Sequence, residues 1–288
     1  MNYNIFSFTA VVDFIEIEIH TASPTQGKAI KRKCSVFGIS YAKRQGAKGS
    51  FSGSTFRIRL YDLKTFAALR SKIASIESEF PFARPPTVTM IEVAFDGRLN
   101  QDAHNTPGEP LATLAAHMAY YAAYPVSNNR RTYLGYKGSP QALPRFVHVL
   151  AREMAEGRNV GIGNKRDPLY QHGYLKTVDR DEQLPTHQHS ARFEIRLAGA
   201  ALPHHDIEGW ETFKFQSLTK HLSFREVPDD LTGLKRAIID GYGSRASTKQ
   251  AIKRRDGKGT RSKHLTPADK MMNAIVHERL RSLTERWA

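Results

Sequence analysis

YQHGYLKTVDRDEQLPTHQHSARFEIRL, residues 170–197, contains a tyrosine-bearing segment followed by a predicted strand with one glutamate. Two other acidic strands are expected to point toward it. Apolar and charged side chains alternate in its last part, RFEIRL at 192–197. Alternation of this kind predicts a half-buried strand, because successive side chains of a strand point to opposite faces. Glu194 is therefore expected to project from the polar face, between Arg192 and Arg196.

Tyr174 lies upstream of this strand and close in sequence to Lys176 and Asp179. A neutral phenol, with a pKa of ~10, attacks poorly, so a nearby cation or metal must assist it. Mg²⁺ prefers oxygen ligands, binds through a few carboxylates and leaves positions for phosphate oxygens. Tyr174 is thus a candidate nucleophile if further carboxylates lie on neighbouring strands.

Two other predicted strands carry such carboxylates. In AVVDFIEIEIH, residues 10–20, Asp13 shares the parity of the isoleucines and points to the core unless a bulge redirects it; Glu16 or Glu18 could replace it. In TVTMIEVAFDG, residues 87–97, Glu92 and Asp96 share a face. They are about 13 Å apart along a strand, too far to chelate one ion, and Glu92 is the preferred ligand.

The charge of the chain predicts a polyanionic partner. The 288 residues include 43 Lys and Arg against 28 Asp and Glu, a formal net charge of +15. Residues 244–264 are densely basic, which favours a nucleic-acid arm or a solvated linker. The single cysteine excludes an intrachain disulfide framework and a cysteine-based zinc site. With no stretch of roughly 20 apolar residues and no signal-peptide pattern at the start, we expect a cytoplasmic protein.

The periodicities predict an α+β fold with a mostly antiparallel central sheet backed by helices. Helical spacing covers residues 66–80, 109–124 and the C-terminal segment, with a further helix from Ala151 and a flexible basic turn at 157–168. Residues 206–222 are also amphipathic. The expected strands lie near residues 11–20, 55–61, 88–96, 131–136 or 169–177, and 190–198. The expected domains are a catalytic domain (1–203), a helical extension (204–243), a basic linker (244–264) and a C-terminal helix (265–288).

Four separated pieces between residues 10 and 203 carry a resemblance to a known family. They are VVDFIEIEIH, TMIEVAFDG, TYLGYKGS, and GYLKTVD followed by ARFEIRLAG. In this order the chain resembles the replication initiation factor family, the tyrosine rolling-circle initiators of plasmids and filamentous phages. Two positions depart from the family pattern: Met90 stands where an arginine is usual, and PRFVHVL has Leu150 where a tyrosine would stand.

The resemblance implies a rolling-circle DNA replication initiator that nicks and rejoins DNA through a 5′-phosphotyrosyl link. Tyr174 would be the nucleophile, assisted by Lys176, and Mg²⁺ or Mn²⁺ would be the cofactor. The implied metal ligands are Asp13, Glu92 and Glu194. The expected DNA contacts are Arg57, Arg59, Arg192, Arg254 and Arg255.

Several alternatives remain open from the sequence. Either the nucleophile has moved along the chain from the position of Leu150 to Tyr174, or residues 140–168 are an insertion that mimics the family motif. The other candidate nucleophiles are Tyr170, Tyr136 and Tyr133. His187 and His189 predict either a polar turn or a metal-binding pair. The implied partners are single-stranded or supercoiled origin DNA, a host helicase and polymerase, and a second copy in a homodimer. The rival function is a non-catalytic basic DNA- or RNA-binding protein.

Overall fold

A computed structural model describes most of the chain. The described residues are 1–34, 37–43, 52–101, 109–123, 130–135, 138–144, 146–179, 182–226 and 268–288. The basic segment at 244–264 with Arg254 and Arg255, and Tyr136, lie outside these ranges, as do residues 227–243 of the predicted extension.

Most of the strands form one nine-stranded sheet, in the order β2-β3-β1-β4-β11-β8-β7-β5-β6. The sheet is a large antiparallel one backed by helices, so the predicted α+β class is confirmed. Its strands are β1 (Phe6–Gln26), β2 (Phe37–Lys43), β3 (Ser52–Leu63), β4 (Phe82–Leu99), β5 (Arg130–Leu134), β6 (Gln141–Ala142), β7 (Arg158–Ile162), β8 (Leu169–Lys176) and β11 (Ser190–Ala198). A separate two-stranded sheet contains β9 (Val178–Asp179) and β10 (Glu182–Gln183).

Five α-helices lie in the described part of the chain. They are α1 (Gly27–Cys34), α2 (Phe66–Glu79), α3 (Pro110–Tyr121), α4 (Val147–Ala155) and α5 (Lys270–Trp287). None of these helices is long and apolar enough to cross a membrane.

The chain divides into two compact units. One comprises Met1–Ala10, Phe95–Ile195 and Gln216–Leu280, and the other Val11–Ala94, Arg196–Phe215 and Arg281–Ala288. The first contains α3, α4 and strands β5 to β8, and the second contains α1, α2, β2 and β3. Strands β1, β4 and β11 are continuous and contribute residues to both units.

The alternation of β1 changes at Phe14 and Ile15. Buried residues are even-numbered from Phe6 to Phe14, whereas the buried apolar residues are odd-numbered from Ile15 to Ile19, where Glu16 is buried as well. The strand position opposite Asp13 is Asp62, whose φ of 57° is unusual for a residue other than glycine. The pairing of β1 with β3 is continuous from Val12 to His20, so Asp13 and Glu16, three residues apart, point to opposite faces of the sheet.

The helices follow the apolar spacing of the sequence closely. Thr65 caps α2 by accepting a hydrogen bond from the Ala68 amide, and Pro110 opens α3 at a position where no amide donor is needed. Asp269 caps α5 by accepting a hydrogen bond from the Met272 amide. Helix α4 starts at Val147 rather than Ala151, because Leu150 belongs to its buried face together with Met154.

Two segments differ from the expected structure. The predicted basic turn at 157–168 contains strand β7, in which Gly161 lies against the Tyr170 ring and hydroxyl. The predicted helix at 206–222 consists of two 3₁₀ turns, Glu208–Trp210 and Phe215–Lys220. Phe213 packs between Trp210 and Phe215, with ring centroids 4.9 and 5.0 Å away, so the apolar residues fill an aromatic cluster instead of one helix face.

A buried polar network fixes the start of α5 within the first unit. The Tyr3 hydroxyl donates to Asp269 Oδ2 at 2.5 Å and lies 3.1 Å from His117 Nε2. Burial raises the pKa of Tyr3 well above its ordinary value, and the hydrogen bond to Asp269 adds to this effect. Burial lowers the pKa of His117 from 6.5 to about 4 although Asp269 opposes the shift, so His117 is neutral at pH 7.

We expect His117 to make the protein less stable in acid. At a pH between the two pKa values, His117 is protonated in the unfolded chain and neutral in the folded protein. Unfolding therefore takes up a proton, and a lower pH favours unfolding. This amounts to about 2 kcal/mol of unfolding free energy between about pH 7.5 and about pH 5. Urea unfolding at both pH values should show a smaller difference in His117→Gln than in the wild type, whereas the exposed His187→Gln should match the wild type. Equal pH dependence in all three proteins would contradict the assignment.

Candidate active site

Tyr174 and Glu194 are hydrogen-bonded neighbours. Strand β8 places His172 and Tyr174 on one face, two residues apart, and both are partly exposed. The Tyr174 hydroxyl donates to Glu194 Oε1 at 2.7 Å, and His172 Nδ1 lies 3.4 Å from Glu194 Oε2. The rings of His172 and Tyr174 are 4.7 Å apart. One carboxylate therefore orients both the candidate nucleophile and the imidazole beside it.

Glu194 is ionised although it is buried. Burial alone would raise its pKa, but the hydrogen bond from His172 and the charge of Arg192 outweigh burial and lower the pKa from 4.5 to about 2. An ionised Glu194 can only accept hydrogen bonds, so His172 Nδ1 carries the proton that it shares with Glu194.

Two arginines of β11 neutralise acidic groups of β4. Arg192 donates from Nε and Nη2 to the two oxygens of Asp96, both at 2.7 Å, and its Nη1 is 3.5 Å from Glu194. Arg196 donates from Nε to Glu92 at 2.8 Å. Burial would lower the pKa of Arg192, but Asp96 raises it well above its ordinary value. The Arg192 side chain is only 5% exposed and is a buried partner of Asp96 and Glu194, and its expected role as a DNA contact stays a prediction.

The three expected metal ligands lie together. One carboxylate oxygen each from Asp13, Glu92 and Glu194 lies within 4.8 Å of the others. Three points at this separation are at most about 2.8 Å from a common point, and divalent cations bind oxygen at about 2.0–2.6 Å, so a small inward movement would suffice. No second cluster of this kind occurs among the residues that the structure describes.

The charges around this cluster also suit a divalent cation. Four carboxylates, those of Asp13, Glu92, Asp96 and Glu194, stand beside two guanidiniums, those of Arg192 and Arg196. These six groups carry a formal charge of −2, which one Mg²⁺ or Mn²⁺ would neutralise. Oxygen donors alone are the ligand type that these ions prefer.

The other expected site residues within the described ranges form ion pairs of their own. Lys176 pairs with Asp179 at 2.7 Å. Arg57 pairs with Glu18 and Arg59 with Glu16, at 3.2 and 2.9 Å.

The structure also shows the surroundings of two alternative nucleophile candidates and of the histidine pair. Tyr170 is 2% exposed, which leaves its hydroxyl without access to a phosphate. Tyr133 is partly exposed, with Lys165 Nζ 5.3 Å from its ring centroid. Thr186–Gln188 forms a 3₁₀ turn, and His189 Nε2 lies 3.0 Å from the Leu184 carbonyl, which matches the polar-turn interpretation of His187 and His189.

Sequence reasoning missed three members of this site: His172, Asp96 as the partner of Arg192, and Arg196 as the partner of Glu92. The signal for His172 was its spacing of two residues from Tyr174, which gives both the same face of a strand. The two ion pairs had no local signal, because they depend on β4 and β11 being neighbours in the sheet.

Comparisons with known proteins show a likeness to solved structures and none to a family or a curated protein. No protein family matches the sequence, and no curated protein matches it. Among solved structures, the chain is similar to one described as "Structure of Rolling Circle Replication Initiator Protein from Geobacillus stearothermophilus". The two share 9% identity with a TM-score of 0.38, over 96% of this chain and 97% of the other. At this TM-score the likeness does not bear on the chemistry of the site.

Proposed function

We propose that this protein initiates rolling-circle DNA replication by nicking and rejoining DNA, with Tyr174 as the nucleophile. The observation that carries the proposal is the 2.7 Å hydrogen bond from the Tyr174 hydroxyl to Glu194, a carboxylate that also belongs to the cluster with Asp13 and Glu92. A partly exposed phenol beside a possible cation site is the arrangement that phosphoryl transfer to tyrosine requires. The order of the four sequence pieces links this chemistry to replication initiation.

Asp13, Glu92 and Glu194 would hold Mg²⁺ or Mn²⁺. When bound, such an ion supplies charge stabilisation at a phosphate oxygen. Arg192 and Arg196 hold two of these three carboxylates in place, so the side chains of Glu194 and Glu92 have a fixed direction.

The residues of the chain account for the transfer itself. The Tyr174 oxygen forms a bond to the scissile phosphorus as its proton leaves, and the bond from phosphorus to the 3′ oxygen breaks. That oxygen takes up a proton, which leaves a 3′-OH and a 5′-phosphotyrosyl link. The reverse reaction rejoins the strand without a nucleotide cofactor. Glu194, with its low pKa, orients the hydroxyl, and the neighbouring imidazole of His172 would take up the proton that leaves Tyr174.

The partners follow from the same proposal. Origin DNA, single-stranded or supercoiled, would be the substrate, and the net charge of +15 supports binding to its phosphates. The 3′-OH left by the nick would prime a host polymerase behind a host helicase, in a bacterial cytoplasm, with the protein acting alone or as a homodimer.

The test uses single strands tiled over the DNA on either side of the coding sequence. With Mg²⁺ or Mn²⁺, a 3′-labelled strand should become attached to the protein, and a 5′-labelled strand should be shortened and leave a 3′-OH that a polymerase extends. EDTA should abolish both products, and added Mn²⁺ should restore them. Mapping of the labelled peptide should locate the link at Tyr174. A protein that retards the strands, with a steep salt dependence, but never cuts them would support the non-catalytic alternative.

A further inference from the structure

A second group of charged residues lies farther along β1 in the second unit. We name it the Glu18 cluster, and it consists of Glu18, His20, Arg57 and Arg84. Glu18 Oε2 accepts from Arg57 Nε at 3.2 Å, and Glu18 Oε1 lies 3.2 Å from His20 Nε2 and 3.8 Å from Arg84 Nη2. Arg84 also contacts His20 directly. Two guanidiniums and one imidazole thus surround a single carboxylate.

The exposed part of this cluster is cationic. The side chains of Arg57 and Arg84 are 48% and 61% exposed, whereas that of Glu18 is 19% exposed. Two guanidiniums against one carboxylate leave a formal charge of +1, with the arginines outward and the carboxylate recessed. An approaching anion therefore meets the guanidinium groups first.

The neighbouring pair shows a different arrangement. Arg59 donates to Glu16 at 2.9 Å, one cation to one anion, and its guanidinium lies 4.8 Å from the centroid of the Phe14 ring. Thr89 also donates to the Glu16 carboxylate. Arg59 is consequently neutralised and packed, so the surplus positive charge among these residues belongs to Arg57 and Arg84.

We propose that the Glu18 cluster is a phosphate-binding site that holds the DNA backbone. That the ligand is DNA rests on the proposed function, whereas the cationic geometry of the cluster is independent of that function. Guanidinium groups bind phosphate oxygens in paired hydrogen bonds.

The experiment measures how DNA affinity depends on salt in the full chain. A fluorescein-labelled single strand of mixed sequence is titrated by anisotropy between about 0.05 and 0.2 M salt, without divalent metal. Arg57→Ala and Arg84→Ala should each weaken binding roughly threefold or more and reduce the slope of log K against log salt by about 0.7. Arg70→Ala, which removes the same charge from an exposed position of α2, should leave the slope unchanged.

Glu18→Gln gives the opposite expectation. Removing the recessed carboxylate frees both arginines for the ligand, so binding should become tighter and the slope steeper, whereas a purely structural cluster would only lose stability. Slopes for Arg57→Ala and Arg84→Ala equal to the wild type, or wild-type protein that binds no DNA, would overturn the proposal. Covalent attachment with these slopes unchanged would refute only the phosphate site. Slopes that fall as expected in a protein that never becomes attached would refute only the nicking function.

Discussion

Tyr174→Phe is expected to abolish covalent attachment of DNA, by at least about 10³-fold, while DNA binding stays near the wild-type level. The substitution removes only the hydroxyl, and the ring can keep its position 4.7 Å from the His172 ring. Without the oxygen no bond to phosphorus can form. The measurement is the yield of labelled protein with 3′-labelled strands and Mn²⁺, beside the anisotropy titration without metal.

Tyr170→Phe is the matched control for this experiment. Tyr170 is on the same strand and lies four residues before Tyr174, but it is 2% exposed. Its hydroxyl should have no access to a phosphate, so attachment should persist. Loss of attachment in Tyr170→Phe with retention in Tyr174→Phe would move the nucleophile, and retention in both would place it on another tyrosine.

Local periodicity predicted much of the fold because it reports what each residue faces. The alternation at 190–198 gave the observed bounds of β11, and the apolar spacing from Phe66 gave α2. It failed where burial is set by distant partners. Residues 206–222 have apolar spacing that suits a helix, yet Trp210 packs in an aromatic cluster that includes Phe213, and Trp287 Nε1 donates to the Trp210 carbonyl.

Two carboxylates of the candidate site could be predicted from the parity of each strand. Parity on each strand placed Glu92 and Glu194 on polar faces, and the three carboxylates do lie together, although their role as metal ligands stays a prediction. The partners of those carboxylates were not predictable. Arg192 and Asp96 are 96 residues apart in sequence, and Arg196 and Glu92 are 104 apart, so only the order of the strands brings them together.

Arg192→Met is expected to cause the largest loss of stability, about 3–5 kcal/mol, because it leaves a buried carboxylate without its partner. Asp96 is 2% exposed and receives two hydrogen bonds from Arg192. Arg192 also helps to keep Glu194 ionised, so the change should weaken the hydrogen bond that Glu194 accepts from the Tyr174 hydroxyl. Urea unfolding gives the loss of free energy. Arg192→Lys should lie between the variant and the wild type, since it keeps the charge but not the paired geometry.

Two comparisons separate the buried pair from charge removal in general. Arg281→Met breaks a pair with Glu285 whose side chains are 58% and 65% exposed, and it should change the unfolding free energy by less than about 0.5 kcal/mol. The double variant Arg192→Met with Asp96→Leu removes both buried charges and should be more stable than Arg192→Met alone. If the effects of the two single changes on the unfolding free energy are instead additive, the loss of stability in Arg192→Met does not come from an unpaired Asp96. The charge that Arg192 balances would then be that of Glu194, and the attachment yield of the double variant should fall as far as that of Arg192→Met.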